Sequence, residues 1–400
     1  MDVLHNSPDY LKLTPIKQKI IHLLINTDSY SLAELSKEIN ASIPTTTKIV
    51  VEMIEDGLLV DIGKAGTNSG RRPSMYSLNP AAGYIVGIDI RQNDMGVAII
   101  DFKGKVIDYI DSQPIEIDNT AESFIRMTKI IKEGLAKRNI QESSVRAYGV
   151  NLSGRVNNET GYCFTHVLGD NRPIGSILEK EFSTKVFVEN DSRAMAYGEY
   201  LYGENNKERH MLFFNVTWGL GMGMIIEGKL SYGRSGFSGE IGHFPMLDNN
   251  QICHCGKVGC LETGASGIAM HRIFIEKLKE GRNSLLSNQF NECGDVTMDD
   301  ILEAIKKEDV LAIEVVEEIG STLGRAIAGM INIFNPELII IGGKVSEAGD
   351  YLLLPIKSVI NKHSLNVINK DTTIKFSKLG RKAGPIGACM LSRSKFLGIL

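Results

Sequence analysis

The chain has 400 residues, a formal net charge of −4 and only six cysteines. That length predicts two or three domains, and so few cysteines exclude a disulfide scaffold; the charge excludes a globally basic nucleic-acid binder but not one small DNA-binding module. Residues 1–10 lack a basic n-region or apolar h-region, and no run reaches the roughly 18 apolar residues that span a bilayer, so a cytoplasmic protein without membrane insertion is expected.

The first eighty residues read as three helices and a hairpin. Ile16, Ile20, Leu23 and Leu24 recur at helical spacing. Ser31-Leu-Ala-Glu34 has the form of a capping box, in which serine and glutamate satisfy each other's unpaired amides at a helix start. Leu32, Leu35 and Ile39 form the buried stripe of that second helix. After a turn at residues 40–42, a third helix carries Ile49, Val50, Met53, Ile54 and Leu58 inward. Pro44, Thr45, Thr47 and Lys48 lead its outer face, the pattern of a helix-turn-helix whose second helix enters a major groove. Residues 58–62 and 74–78 alternate like strands around a glycine-rich basic wing, in which Arg71 and Arg72, held extended by Pro73, suit a narrow minor groove. A three-helix protein-interaction module is the alternative. Residues 43–75 set Lys48, Lys64, Arg71 and Arg72 against Glu52, Glu55, Asp56 and Asp61. One copy therefore neutralises few phosphates, and a homodimer or homotetramer is expected.

From Tyr84 the pattern becomes an α/β rhythm, with glycine (40 residues in the chain) clustered at strand turns. Strands are predicted at residues 84–90, 95–101 and 105–110, a helix near 119–137 and a strand near 145–151. The arrangement returns as a strand at 211–216, a glycine turn at Trp218-Gly-Leu-Gly-Met-Gly223 and a strand at 224–226. Two copies predict a duplicated domain of actin and sugar-kinase pattern, with ligands at strand ends facing the crevice between halves. A long helix over residues 313–334, with Gly320, Gly324 and Gly329 allowing close contact, is either an oligomerisation surface or a buried core helix.

Between the second set of strands and that helix, Glu240-Ile-Gly-His243 is followed by Cys253-His-Cys-Gly-Lys-Val-Gly-Cys260-Leu-Glu262. His243, Cys253, Cys255 and Cys260 have the ligand count and type of a closed tetrahedral structural Zn2+ site; disulfides or free buried thiols are the alternative. Glu240 and Glu262 flank the ligands without being needed to complete the tetrahedron, which suggests that they bind something polyhydroxylated.

These two motifs, together with Glu189-Asn-Asp191 and Ile341-Gly-Gly-Lys-Val-Ser346, resemble the ROK family of repressors, open reading frames and kinases. The front end, closing on Gly70-Arg-Arg-Pro73, resembles the repressor branch, which includes xylose, N-acetylglucosamine and glucose-responsive regulators. The resemblance spans residues 12–395. It implies zinc on His243, Cys253, Cys255 and Cys260, and a sugar pocket lined by Asn190, Asp191, Glu240, His243 and Glu262. Such carboxylates accept from sugar hydroxyls, and an amide both donates and accepts. In a kinase of this family Asp191 would take the proton from the attacking hydroxyl; by itself the residue reads equally as the N-cap of a helix over 192–201. Residues 151–155 are a candidate third wall.

ROK kinases place an Asp-x-Gly-Gly-Thr-Lys turn after the first strand to hold phosphates. Here the turn is Asp89-Ile-Arg-Gln-Asn-Asp94. Arg91 and Gln92 stand where phosphates would approach, and Asp94 adds a repelling charge. The second turn survives in part as Thr217-Trp-Gly-Leu-Gly-Met-Gly223, with Trp218 intruding, and Gly342-Gly343 remains near the expected adenosine position. No enzyme is expected. The predicted organisation is a winged helix-turn-helix at residues 1–80 followed by an α/β, two-lobed actin-like ROK domain of ribonuclease-H-like lobes. The first lobe is 81–190 with 383–400; the second, 191–382, carries the zinc loop and an oligomerisation surface. The expected function is a sugar-responsive transcriptional regulator, a repressor, binding operator DNA and a sugar or sugar phosphate. The alternatives are a sugar kinase with an added DNA-binding head, or a regulator answering to a protein partner.

Overall fold

The computed structural model describes residues 13–64, 73–91, 93–118, 120–165, 172–203 and 208–399. Its head comprises α1 (Pro15–Asn26), β1 (Tyr30–Ser31), α2 (Leu32–Ile39), α3 (Ile43–Glu55), β2 (Leu59–Lys64) and β3 (Ser74–Leu78). The capping box at Ser31 forms as predicted: Glu34 Oε2 accepts the Ser31 N–H at 2.8 Å, and Ser31 Oγ accepts the Glu34 N–H at 3.3 Å. β1 joins the hairpin to give a sheet of order β1-β3-β2, an arrangement consistent with a winged helix-turn-helix head. Leu35, Val50, Met53 and Leu58 pack on Ile20, Ile21 and Leu24, while Leu32, Ile39, Ile49 and Ile54 are only partly covered. Arg71 and Arg72 lie outside the described residues, as does Gln92.

Two five-stranded sheets follow. The first holds β4 (Tyr84–Ile90), β5 (Asp94–Asp101), β6 (Val106–Pro114), β7 (Val145–Leu152) and, after a small hairpin of β8 (Val156–Asn157) and β9 (Tyr162–Cys163), β10 (Lys185–Asn190). Its order is β10-β7-β4-β5-β6, with α4 (Ala121–Lys137) and α5 (Ile174–Phe182) on one face. The second holds β11 (Met211–Val216), β12 (Leu220–Ile226), β13 (Lys229–Leu230), β14 (Leu338–Gly342) and β15 (Thr373–Phe376), in the order β13-β12-β11-β14-β15. In both, an antiparallel meander is extended by two parallel strands beside its first strand, so the duplication read from the sequence is real.

Between the sheets lie α6 (Asp191–Gly198), which runs into a π-helical turn at Glu199–Gly203, and α13 (Ala383–Phe396). Strand alternation explains this layer. On β11, Met211 and Phe213 face α6 and α13, whereas Leu212, Phe214 and Val216 face the second lobe's helices. That outer layer is α7 (Gly267–Lys279), α8 (Ser287–Cys293), α9 (Met298–Lys306), α10 (Val310–Phe334), α11 (Asp350–His363) and α12 (Asn366–Asn369). Among the described residues, no helix is long and apolar enough to cross a membrane.

One local expectation needs correction, and one open alternative is decided within the chain. The glycine run at 218–223 is mostly strand, since β12 begins at Leu220 and only 217–219 turn. Its glycines serve close packing: a Cβ on Gly221 or Gly223 would collide with Ser192 or Ala196 of α6. In α10, Gly320 and Gly324 face α11 of the same chain, where a Cβ would lie 2.9 Å from the Leu352 and Ile356 carbonyl oxygens. That helix is a core element, and only Gly329 has open space beside it.

Candidate functional site

Asn190 ends β10 and caps α6. Its Oδ1 accepts the Arg193 N–H at 3.0 Å, and its Nδ2 donates to the Gly154 carbonyl at 3.0 Å and to Asp191 Oδ1 at 2.9 Å. The cap is thus Asn190, and Asp191 is the first helical residue rather than the N-cap that its sequence also allowed. Asp191 Oδ1 also takes the Ser192 N–H at 2.7 Å, and Asn215 Nδ2 approaches Oδ2 at 3.5 Å.

Burial, with the nearby negative charge of Asp89 second, pushes the Asp191 carboxyl up to about 7. Asp89 is itself buried at the end of β4, and burial raises its carboxyl above the usual range. Its Oδ1 accepts from Asn151 Nδ2 at 3.3 Å, while its Oδ2 and the Asn151 and Asn215 Oδ1 atoms have no partner. Strand ends from both sheets therefore aim buried, unsatisfied oxygens into one region. Of the candidate third wall, Asn151 and the Gly154 carbonyl join this group, whereas Arg155 is exposed. Asn215 was missed by sequence reasoning. Its signal was a single amide in the apolar run Met211-Leu-Phe-Phe-Asn-Val216, where a fully buried polar side chain demands a partner.

The second group is tied to the backbone of β12. The Gly239 carbonyl accepts the Met222 N–H at 3.1 Å, which carries Glu240 and His243 to the strand. Glu262 Oε2 accepts the Leu220 N–H at 3.1 Å. His243 Nε2 lies 3.8 Å from Glu240 Oε2. Among the described residues no hydrogen bond joins Asp191 to Glu240, His243 or Glu262. Both groups touch β12, the first through Ser192 against Gly221 and the second through Glu262 at Leu220.

His243, Cys253, Cys255 and Cys260 come together as the spacing predicts, their donor atoms all within 4.8 Å of one another. His243 Nδ1 is 3.6 Å from Cys253 Sγ, and Cys255 Sγ is 3.6 Å from Cys260 Sγ. Gly256 (φ 83°) and Gly259 (φ 80°) supply the left-handed turns of the knuckle, which the Ile252 and Val258 bridge closes. Burial pushes the Cys253 thiol up to about 12, so a cation is needed to hold its thiolate. His254 was also missed: its Nδ1 lies 2.8 Å from Glu262 Oε1.

At the turn of residues 89–94, Arg91 Nε meets Asp94 Oδ1 at 2.8 Å and its guanidinium also donates to the Asp111 carbonyl. Arg381 reaches across to Asp111 at 3.0 Å and Asp94 at 3.6 Å. Asp94 is therefore not the bare repelling charge expected; two guanidiniums neutralise it, and the turn is tied shut. Trp218 rests near the His271 ring, with centroids 5.7 Å apart. Gly342 is a glycine for packing, against Phe213, whereas Gly343 takes a left-handed φ of 85° beside the Val216 carbonyl. A cavity of about 450 Å³ lies behind the knuckle, against Asp248, Thr263, Arg272 and Glu276, and another of about 260 Å³ lies between β5, β6 and α4. Neither is lined by Asn190, Asp191, Glu240, His243 or Glu262.

On the head, Thr45 and Lys48 are exposed and Thr47 is partly so. The Thr45 hydroxyl is 2.8 Å from the capping Ser42 hydroxyl, and that of Thr47 donates to the Ile43 carbonyl at 2.8 Å. Lys48 makes no ion pair with another described residue, while Asp56 and Glu52 are held by Lys17 at 2.9 and 3.7 Å.

A helical N-terminal head precedes a duplicated, actin-like pair of α/β sheets that carries a cysteine-histidine knuckle. The chain belongs to the ROK family, which matches residues 85–395. A xylose repressor of Caldicellulosiruptor bescii is 28% identical over 384 residues, 95% of this chain and 96% of its own length. A glucokinase of Halalkalibacterium halodurans is 30% identical over 315 residues, 78% of this chain and 96% of its own. Among solved structures, a ROK family transcriptional regulator, homolog of the E. coli MLC protein, matches with a TM-score of 0.80 at 27% identity, covering 96% of both chains.

Proposed function

We propose that this chain is a sugar-responsive transcriptional repressor, with operator DNA on the winged head and a sugar or sugar phosphate in the crevice at Asn190, Asp191, Glu240, His243 and Glu262. One observation carries the reading: the xylose-repressor likeness runs through the head and both lobes, whereas the glucokinase likeness spans 78% of the chain. The proposed division is a head at 1–80, a first lobe at 81–190 with 383–400, and a second lobe at 191–382. Thr45, Thr47, Lys48, Arg71 and Arg72 are the proposed DNA contacts. With so few positive charges on one head, two heads of a homodimer or homotetramer would share an operator.

Zinc suits the knuckle. Bonds of about 2.3 Å to sulfur and 2.0–2.1 Å to nitrogen give tetrahedral edges of roughly 3.5–3.8 Å, and both 3.6 Å separations fall in that range. The ion would pin the loop that bears Glu240 and Glu262, and binding at His243 Nδ1 would leave the Nε2 side free to donate. Asp191 favours a second reading, an ATP-dependent sugar kinase with an added head, because a carboxyl near neutral pH suits a general base. The bonds among Arg91, Asp94, Asp111 and Arg381 oppose it, since they occupy the turn that would cradle phosphates.

The test is thermal unfolding of the zinc-loaded protein against hexoses, pentoses, N-acetylhexosamines and their phosphates. A ligand at about 100 times its Kd should stabilise by about 2.7 kcal/mol. One clear hit followed by release of operator DNA supports the reading. Sugar-dependent ATP hydrolysis overturns it in favour of the kinase, and a silent panel overturns the sugar assignment in favour of a protein partner.

A further inference from the structure

The last helix touches both the crevice wall and the head. Near its end, Lys395 Nζ lies 3.3 Å from Glu189 Oε2. Glu189 is almost wholly buried; its Oε1 accepts from Arg193 Nε at 2.8 Å and from the Asn190 N–H at 2.9 Å. This carboxylate therefore fixes the residue that caps α6 and orients Asp191. Arg193 also donates to the Val156 carbonyl at 3.0 Å, and the Tyr232 ring lies 5.9 Å from its guanidinium carbon and 5.6 Å from the Lys395 ammonium. A buried ion network of this kind is rigid while every member is satisfied, and expensive to leave half-satisfied.

Beyond Lys395 the chain enters the head. Leu397 is fully buried in the same apolar cluster as Ile20, Ile21, Leu24 and Leu78, and Phe396 packs on both this cluster and the interlobe core. Gly398 abuts the Gln18 side chain. One turn earlier, buried Arg393 donates to the carbonyls of Phe102 at 2.9 Å and Lys103 at 2.8 Å. Phe102 is itself part of the head's core, and Lys103 pairs with Asp28 of the head at 2.9 Å. Along its length α13 is locked to α6, because a Cβ on Gly387 would collide with the Ala194 carbonyl and one on Gly198 would come within 2.7 Å of Gly387 Cα. Helices packed this closely move together.

We propose that Lys395 is a positioning residue that ties the crevice wall at Glu189 to the head: through it, α6, α13 and the apolar tail at Leu397 form one rigid link. Displacement of Asn190 or Asp191 on ligand binding is transmitted to the head by this link, rather than only through the short connection at residues 79–83. The inference rests on the reading of crevice and head as parts of one switch. Its test uses neither sugar nor operator, so failure of the sugar panel and failure of this link are separate results.

The experiment is amide hydrogen exchange on the full-length, zinc-loaded protein, following peptides from α1 and β3. Lys395→Met should accelerate exchange in α1 about tenfold or more, although the partner it loses is Glu189 of the crevice wall, and Lys395→Arg should restore protection. Glu189→Gln and Leu397→Ala should each open the head, and the double variant should open it no further than the more severe single one. Independent sites would instead multiply their effects. Head exchange unchanged in Lys395→Met while β10 loosens overturns the proposal, as does a multiplicative double variant. If Glu189→Gln fails to fold because Arg193 loses its partner, the Lys395→Met and Lys395→Arg pair decides.

Discussion

Asn190 Nδ2 donates to Asp191 Oδ1 at 2.9 Å while Asn190 Oδ1 receives the Arg193 N–H at 3.0 Å, so one amide both caps α6 and aims the carboxylate at its start. Neither residue needs the other for fold alone, since a Ser or Asp would also cap. The amide is suited to a place where a neighbouring carboxyl must be oriented: one of its two N–H groups goes to Asp191 and the other to the Gly154 carbonyl.

The Asp191 carboxyl, pushed up to about 7 by burial and by Asp89, makes stability fall with pH. Unfolded, the group titrates near 3.9, so between about pH 4 and 7 the folded state holds the proton that the unfolded state has lost. Its contribution is fully present below pH 4 and is lost as pH rises through 7. Asp191→Asn should therefore gain stability relative to the parent across that window, by about 2 kcal/mol because part of the side chain stays in reach of water. Urea unfolding of both proteins at pH 5 and pH 8 measures the difference; a pH-independent gap would place the Asp191 carboxyl in the ordinary range.

Removing one ligand should abolish the metal site. Cys255→Ala leaves His243, Cys253 and Cys260, too few for a closed tetrahedral site. Metal analysis should find zinc lost, and sugar affinity should fall at least about tenfold as the loop bearing Glu240 and Glu262 loosens. Full operator binding and sugar response by a zinc-free protein would separate the knuckle from the switch.

The cysteine-histidine cluster was legible because it is local: residues 243–260 carry all four donors, and two glycines mark the turns. The duplication was legible because each half repeats a strand meander with buried, β-rich runs. Glycine misled where its role was packing rather than turning, at Gly221 and Gly223 in β12, whereas Gly320 and Gly324 in α10 do allow the close helix contact expected of them. A missing Cβ looks the same in sequence whether it frees the backbone or admits a neighbouring helix. The pairs between Asp89 and Asn151 and between Glu189 and Lys395 were illegible for another reason: they join residues 62 and 206 positions apart, and nothing in either segment names its partner.

Gly329 and Gly324 separate packing from oligomerisation in α10. Gly324→Ala should destabilise by roughly 1–3 kcal/mol, because its Cβ would press on α11 at the Ile356 carbonyl and Val359. Gly329→Ala meets nothing within 4 Å in the same chain, and helix propensity alone predicts a gain of about 0.5–1 kcal/mol. Urea unfolding measures both. If Gly329→Ala instead weakens the protein, and does so more at high protein concentration, where the parent is associated, another copy of the chain packs there.

Lys48 is exposed near the start of α3 and has no ion-pair partner among the described residues, while Glu52 and Asp56 toward the helix's far end are held by Lys17. A free ammonium on the leading turns of a recognition helix acts on phosphates as a point charge. Lys48→Ala should weaken binding to operator and to unrelated duplexes by similar factors, and should reduce the slope of log K against log salt by about 1 for each head engaged. Titrations at several salt concentrations with both duplexes check this. A loss confined to the operator, with the slope unchanged, would instead make Lys48 a base contact, since bonds to a base edge carry sequence information without releasing counterions.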